Sequence, residues 1–441
     1  MLLHRLVHRV LGIHPGDPDD RNAWFLVLEM FWASILGAIA TFNAAYAIRL
    51  GADNLQVSLL SSIPALMAVL VSVPAGQFLQ RKPRRKPWVL GSLFAYRVGF
   101  LLVALAPWIQ LGGLQPGLAV VMILSVMSAP AHFFNVGWLP MLAEVIPEER
   151  RATLFAARNI INQATISVTV FMCGQWLNTV VFPINYQAMY AFGFVTSLLS
   201  MVFLMRLRIP DSPDEGDDLP GEKPRGLRDA ARQMRVGLQS TGERMRAKPA
   251  FLRITVNTFL HGVGVWMAAP LYALYFVREL NASDAWLGLN GTIASVGTIV
   301  GYSLWRSLLV RWGEPVSLKR TIVLIGVYPV LVGLTPSLAV ILLYGALNGL
   351  VAPGVNLAHF NLLLKATPAN ARPRFTALYM TIMNIGAFFS PILAVALADQ
   401  IGLAPMLIIA GLLSVIGSTS FWWNPVLREE PETAPALASG E

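Results

Sequence analysis

Apolar runs of about 18 to 25 residues recur along almost the whole chain, and they limit it to one class of fold. A helix rises about 1.5 Å per residue, so about 20 apolar residues span a hydrocarbon core. Lipid offers backbone groups no partner, so each run must satisfy its own hydrogen bonds as a helix. The runs are too continuous for the alternation of a β-barrel. Composition agrees: the 441 residues are 55% hydrophobic and 13% charged, about half the charge of a soluble domain. The expectation is an all-α membrane protein of twelve transmembrane helices.

The spans read at 24–48, 56–79, 88–110, 117–142, 153–177, 186–206, 251–276, 286–308, 318–335, 338–364, 375–397 and 403–423. Two bundles of six follow, 24–207 and 251–425, joined by a polar stretch at 208–250. That stretch begins acidic, with Asp211, Asp214, Glu215, Asp217 and Asp218. Leu227, Ala231, Met234 and Leu238 then share one helical face, as in a helix lying on a membrane surface; a solvated tether is the alternative. Residues 1–23 carry Arg5, His8 and Arg9 among apolar neighbours, a basic amphipathic segment and not a signal peptide. The acidic, Pro/Ala-rich tail at 426–441 is expected to be disordered. Cys173 is the single cysteine, so there is no disulfide framework.

A formal charge of +9 could suggest nucleic acid, but its placement argues otherwise. Of 33 Lys and Arg, 28 fall in segments on the side of the N-terminus and only Arg49 and Arg278 on the other. Cytoplasmic loops hold such an excess, so both termini are expected inside a cell (inner or plasma) membrane, with the lipid bilayer as partner. No nucleic-acid partner is expected.

The halves repeat. Tyr46-x-x-Arg49 returns as Tyr275-x-x-Arg278, Ala129-Pro130 as Ala352-Pro353, Asn135 as Asn356, and Pro147-x-x-x-Arg151 as Pro368-x-x-x-Arg372, at offsets from 229 down to 221. Two six-span halves in parallel repeat resemble the major facilitator superfamily of secondary transporters. The loop after the second span resembles that family's G-x-x-x-D-[RK]-x-G-[RK]-[RK] signature: Gly76, Arg81, Arg84 and Arg85 match, while Gln80 replaces the acid and Pro83 the second glycine. The second half keeps less, with Val310 in the acid's place before Arg311. The resemblance implies a cytoplasmic latch built from Gly76, Gln80, Arg81, Arg84, Arg85 and Arg311. Glu144, Arg151, Arg158 and Arg372 resemble its flanking charged cluster, with plain inside-positive anchoring as the alternative for the arginines. Without its acids this latch should be weak. No drug-exporter or sugar-porter motif identifies a subfamily.

The resemblance also implies that the first, fourth, seventh and tenth spans line a central cavity. Glu29, His132, His261 and His359 fall on those four spans, and ionisable groups at membrane depth are functional candidates. His132 shares a face with Asn135, His359 with Asn356, and His261 with Asn257; simple interhelical bonding is the alternative. Glu29, the only acid well inside a span, continues a stripe of Ala33, Gly37, Ala40 and Ala44, and is expected to pair with Arg97.

The function implied is secondary transport of a small-molecule solute by alternating access, with protons as candidate coupling ions, by a monomer without cofactor or metal. A non-transporting receptor or a lipid-moving member is the alternative. An enzyme is not expected: the residues five beyond His132, His261 and His359 are Gly137, Trp266 and Leu364, so none of the histidines within the spans opens a His-x4-Asp acyltransfer motif. No Walker motif is present to couple ATP directly.

Overall fold

A computed structural model describes residues 21–82, 84–108, 113, 115–146, 148–208, 248–368 and 371–426. The amphipathic segment at 1–20, the stretch at 209–247 and the tail from 427 lie outside the described residues. Everything described is helix or short connection. The first bundle contains α1 (Arg21–Ala40), α2 (Asn43–Arg49), α3 (Asn54–Gln80), α4 (Lys86–Leu105), α5 (Pro116–Val145), α6 (Glu148–Thr179) and α7 (Ile184–Met205). The second contains α8 (Pro249–Leu274), α9 (Asp284–Leu334), α10 (Leu338–Ala366), α11 (Arg372–Ile401) and α12 (Leu403–Trp423).

Helices and expected spans differ at three places, each with a local cause. The first span is α1 and α2 together, interrupted at Thr41 and Phe42. The eighth and ninth spans are the two limbs of α9, separate helices joined without a loop at a kink. They part only at Gly313, with φ 71° and ψ 166°, a backbone shape that favours glycine. Lys365 donates to Glu314 at 3.0 Å beside this bend, and that hydrogen bond holds the Glu314 carboxyl below its ordinary range. Among the described residues ten helical stretches are long and apolar enough to cross a membrane. α6 is outside that set because its first turns carry Glu148, Glu149, Arg150 and Arg151, followed by Arg158, Asn159, Asn162 and Gln163. With α6, and with α9 taken as two limbs, the architecture is compatible with twelve spans.

Packing repeats between the bundles. In the first, neighbours run α3, α5, α4, α7, α1, α6. In the second they run through the first limb of α9, α10, the second limb of α9, α12, α8 and α11. The bundles meet along two seams, α6 against α9 and α3 against α11, which exchange places under the same two-fold relation. Lipid tails are as apolar as leucine, so close backbone approach supplies much of the association. At the α6–α9 seam a Cβ on Gly288 would lie 2.8 Å from Gly174 Cα and from the Val170 carbonyl. Only glycine permits that crossing.

Candidate functional site: a reciprocal clamp and two buried polar clusters

The hydrogen bonds and ion pairs joining the bundles gather toward one end, beside residues 49–54 and 278–284. Arg49, ending α2, lies 2.9 Å from Asp284 Oδ1 through Nη2, donates to the same oxygen from Nε at 3.0 Å, and donates to the Ala282 carbonyl at 3.2 Å. Tyr186 of α7 donates its hydroxyl to Asp284 Oδ1 at 2.6 Å. The counterpart contact runs the other way: Arg278 donates to Asn54 Oδ1 and to the Ala52 carbonyl. Asn54 in turn donates to Asp399 of α11 at 2.6 Å.

These contacts are one motif used twice. Ala52 and Ala282, like Asn54 and Asp284, are separated by 230 positions, against 229 for the arginines. Each arginine leaves the C-terminal end of a bundle's first span and grips the turn that opens the other bundle's next helix. Both turns are helix N-caps. Asp53 accepts from the Gln56 backbone at 2.7 Å, and Ser283 from the Trp286 backbone at 3.2 Å. Asp284 therefore sits in a first turn, where a negative charge is favoured. The helix geometry that aims the arginines is irregular in both bundles: the break at Thr41–Phe42 precedes Arg49, and a widened π-turn, Tyr275–Glu279, carries Arg278. Beneath the clamp Tyr46 stacks on Tyr186 with centroids 4.5 Å apart. Beside it a pocket of about 480 Å³ is lined by Arg49, Asp284, Asn185 and Phe182. Deeper along the α6–α9 seam, Thr292 donates to the Ser167 carbonyl at 3.0 Å.

The Tyr-x-x-Arg repeat pointed to these positions, yet sequence reading left Arg49 and Arg278 as outer-loop charges. Their partners come from the other bundle, more than two hundred residues away, and only the constant offset signalled them.

The first buried polar cluster corrects an expected pairing. Glu29 does not pair directly with Arg97; its partner is Arg158 of α6, with Nη2 2.9 Å from Oε2. The contact is ionic without alignment, since Glu29 Oε2 accepts no hydrogen bond among the described residues. Arg158 also donates to the Leu26 carbonyl, and its guanidinium lies 5.7 Å from the Trp138 ring centroid. Arg97 instead donates to the Ser197 carbonyl and, at 2.6 Å, to Ser200 Oγ of α7. Helix order gives the reason. α1 packs against both α6 and α7, whereas α4 reaches α7, so α7 receives the α4 arginine first. Glu29 still acts on Arg97 electrostatically, without contact.

The second cluster divides the histidines. His359 of α10 shares hydrogen bonds with Thr258 Oγ1 at 2.8 Å and Tyr379 hydroxyl at 3.2 Å, joining α8, α10 and α11. His261 turns to α12, where its Nδ1 lies 2.9 Å from both Ser414 Oγ and Ser418 Oγ. Asn257 follows it, donating to the Asn424 carbonyl at 2.8 Å. That face holds helices together. His132 is half-buried and reaches the Pro64 carbonyl of α3. Asn135 and Asn356 are exposed.

Among the candidate latch residues, Gln80, Arg81, Arg311 and Arg372 are exposed, and their side chains make no hydrogen bond or ion pair among the described residues. Gly76 packs loosely, with Val136 3.8 Å from a Cβ built there. Arg84 and Arg85 flank this segment. The side chains of Glu144 and Arg151 lie outside the described set.

Comparisons with known proteins give this architecture its place. Residues 25–252 and 254–440 match the family model described as Major Facilitator Superfamily. A 186-residue stretch is 28% identical to Multidrug resistance protein MdtG of Yersinia enterocolitica, covering 40% of this chain and 44% of that protein. The chain thus aligns with less than half the length of that relative. Among solved structures, a POT family transporter in complex with 5-aminolevulinic acid superposes with a TM-score of 0.69 at 13% identity, covering 91% of this chain and 96% of the other. A bacterial homolog of the human lysosomal transporter Spinster, inward-facing and occupied, gives 0.67 at 11% identity, covering 93% and 97%. A mutant of the nucleoside transporter NupG gives 0.66 at 12%, covering 91% and 99%. At these identities the structures speak for the fold, and the family model, matching nearly the whole chain, speaks for descent: this multi-pass membrane protein belongs to the Major Facilitator Superfamily.

Proposed function

We propose that the chain is a secondary transporter that moves a small solute by alternating access, seen here with its outer face closed. The reciprocal clamp is the observation that carries this reading. A two-fold set of contacts at one end of the bundle interface, with exposed latch residues at the other, is what a rocking pair needs in one of its two states. The 28 basic residues on the latch side make that side cytoplasmic, with both termini inside, so the cavity would open inward. The domain boundaries at 24–207 and 251–425 follow the same division. The similar proteins carry names and titles with different compounds (drugs, nucleosides, 5-aminolevulinic acid), so they leave the solute open.

Proton coupling is assigned to the Glu29 cluster. Glu29 is the candidate coupling residue, because it is the only acid well inside an expected span. His132, with Asn135, and His359, with Asn356, are retained as cavity candidates. His261 and Asn257 are assigned to helix packing. The purified protein is first screened by thermal shift against a metabolite and drug panel, and the ligand found is then used in proteoliposomes. Glu29→Gln should abolish pH-driven uptake while substrate-driven counterflow persists. Normal uptake with an unchanged pH profile would remove the coupling role.

A further inference from the structure

On the flank of the first bundle, α3 and α4 both pack on α5 and leave a groove of about 690 Å³ between them. That volume falls in the range of about 300–1,000 Å³ typical of ligand pockets. Val71, Trp88, Gly91, Ala129, Pro130 and Phe133 form its walls, which are almost wholly apolar. α4 is a peripheral helix whose main neighbours are α5 and α7, so the groove faces outward from the bundle and away from the seams with the other half.

The groove has a charged mouth. The end nearest Pro87 and Trp88 adjoins Arg81, Lys82, Arg84, Arg85 and Lys86. Lys86 is occupied, its ammonium donating at 2.7 Å to the Met205 and Leu207 carbonyls that end α7. Lys82 is held over the groove's own wall: its ammonium lies 5.2 Å from the Phe78 ring centroid and 5.4 Å from that of Trp88. Phe78 packs edge-on to Trp88 at 5.0 Å and continues to Phe133 at 5.8 Å, so an aromatic path runs from the lysine into the groove. No Asp or Glu occurs between Asp53 and Glu144, so α3 and α4 bring no acid to this mouth.

We propose that this groove holds one acyl chain of an anionic phospholipid, with its phosphate against Lys82 and Arg81. An apolar trough ending in cations, with no acid contributed by α3 or α4, matches that amphiphile at both ends, and each basic residue near the surface adds attraction to an anionic headgroup. Gly91 supports the reading. Glycine inside a helix is less favourable than alanine, yet a Cβ built there meets nothing within 4 Å. Its position is open space, and a larger residue would fill the trough instead of clashing.

The test is native mass spectrometry of the full chain released from nanodiscs containing equal palmitoyl-oleoyl phosphatidylglycerol and phosphatidylcholine. The wild type should retain one phosphatidylglycerol. Arg81→Ala/Lys82→Ala should lose the headgroup preference by about 25-fold, taking about fivefold for each cation removed. Gly91→Phe should lose the retained lipid of either kind, while Gly91→Ala keeps it; circular dichroism confirms that each variant is folded. Equal retention of the two lipids by the wild type would overturn the proposal. So would undiminished retention by folded Gly91→Phe. Should Gly91→Phe not fold, the headgroup preference of the double-alanine variant decides alone.

Discussion

Glu29, Arg158 and Arg97 form the most expensive arrangement in the molecule, two cations and one acid removed from water within a single bundle. The side chains of Glu29 and Arg158 are 8% and 5% exposed, so neither can be solvated if its partner is lost. Breaking a buried pair from one side costs about 3–5 kcal/mol, because a bare charge remains. Arg97 makes its direct bonds to Ser197 and Ser200, so its removal leaves the Glu29 ion pair standing. Arg158→Ala should therefore lower the thermal midpoint in detergent more than Arg97→Ala does. Glu29→Gln/Arg158→Ala should recover much of the loss. Equal effects of the two single changes, with no recovery in the double, would contradict this geometry. At this scale the sequence showed that Glu29 needed a cation, because an acid at membrane depth cannot stand alone. It could not show which one. By the expected spans Arg158, like Glu29, lies five residues into its helix and Arg97 nine, but long side chains bridge that difference, and the choice depends on whether α1 turns its acid toward α6 or toward α4.

Among the elements, α6 and α9 matter most, since their crossing closes the interface beside the clamp. Gly174 and Gly288 let the backbones touch, and the adjacent Cys173 is the chain's native reporter of that contact. Gly288→Val would place atoms where the Gly174 Cα and the Val170 carbonyl now lie, which no rotamer can relieve. The seam should part and expose Cys173 to a membrane-impermeant maleimide added from outside, with labelling faster than in the wild type. Unchanged labelling would mean that this crossing does not hold the outer face shut. Helix positions were largely legible, because hydrocarbon thickness fixes span length and lipid forbids unpaired backbone. The division of the first span into α1 and α2 was not, since the Thr41–Phe42 break redirects the chain without changing its hydropathy. Helix faces were legible only in part. The spacing of Asn257 and His261 placed both on one side of α8, correctly, but did not reveal that Ser414 and Ser418 of α12 wait on that side.

For the whole molecule, the same two-fold logic appears in sequence and structure. The near-constant offset of short motifs reflects two bundles with the same order of neighbours, and the clamp uses that symmetry twice. Its two halves are chemically unequal: Arg49 meets a carboxylate, Arg278 an amide. Both arginines are charged donors, but only Arg49 meets an opposite charge, so the Arg49–Asp284 side should dominate closure. At the other end Gln80 and Val310 stand exposed where the family signature has acids, so these two positions bring no charged acceptor to a latch. Double electron–electron resonance in lipid bilayers tests this most directly. Spin labels would be placed at Val181 and Ser337 across the outer face, and at Gln77 and Val310 across the inner face, with Cys173→Ser as background. In the wild type the outer distances should be short and the inner ones long. Asp284→Asn should lengthen the outer distances and shorten the inner ones together. Outer distances that stay fixed, or two ends that widen together, would contradict a rocking transporter held closed outside by this clamp.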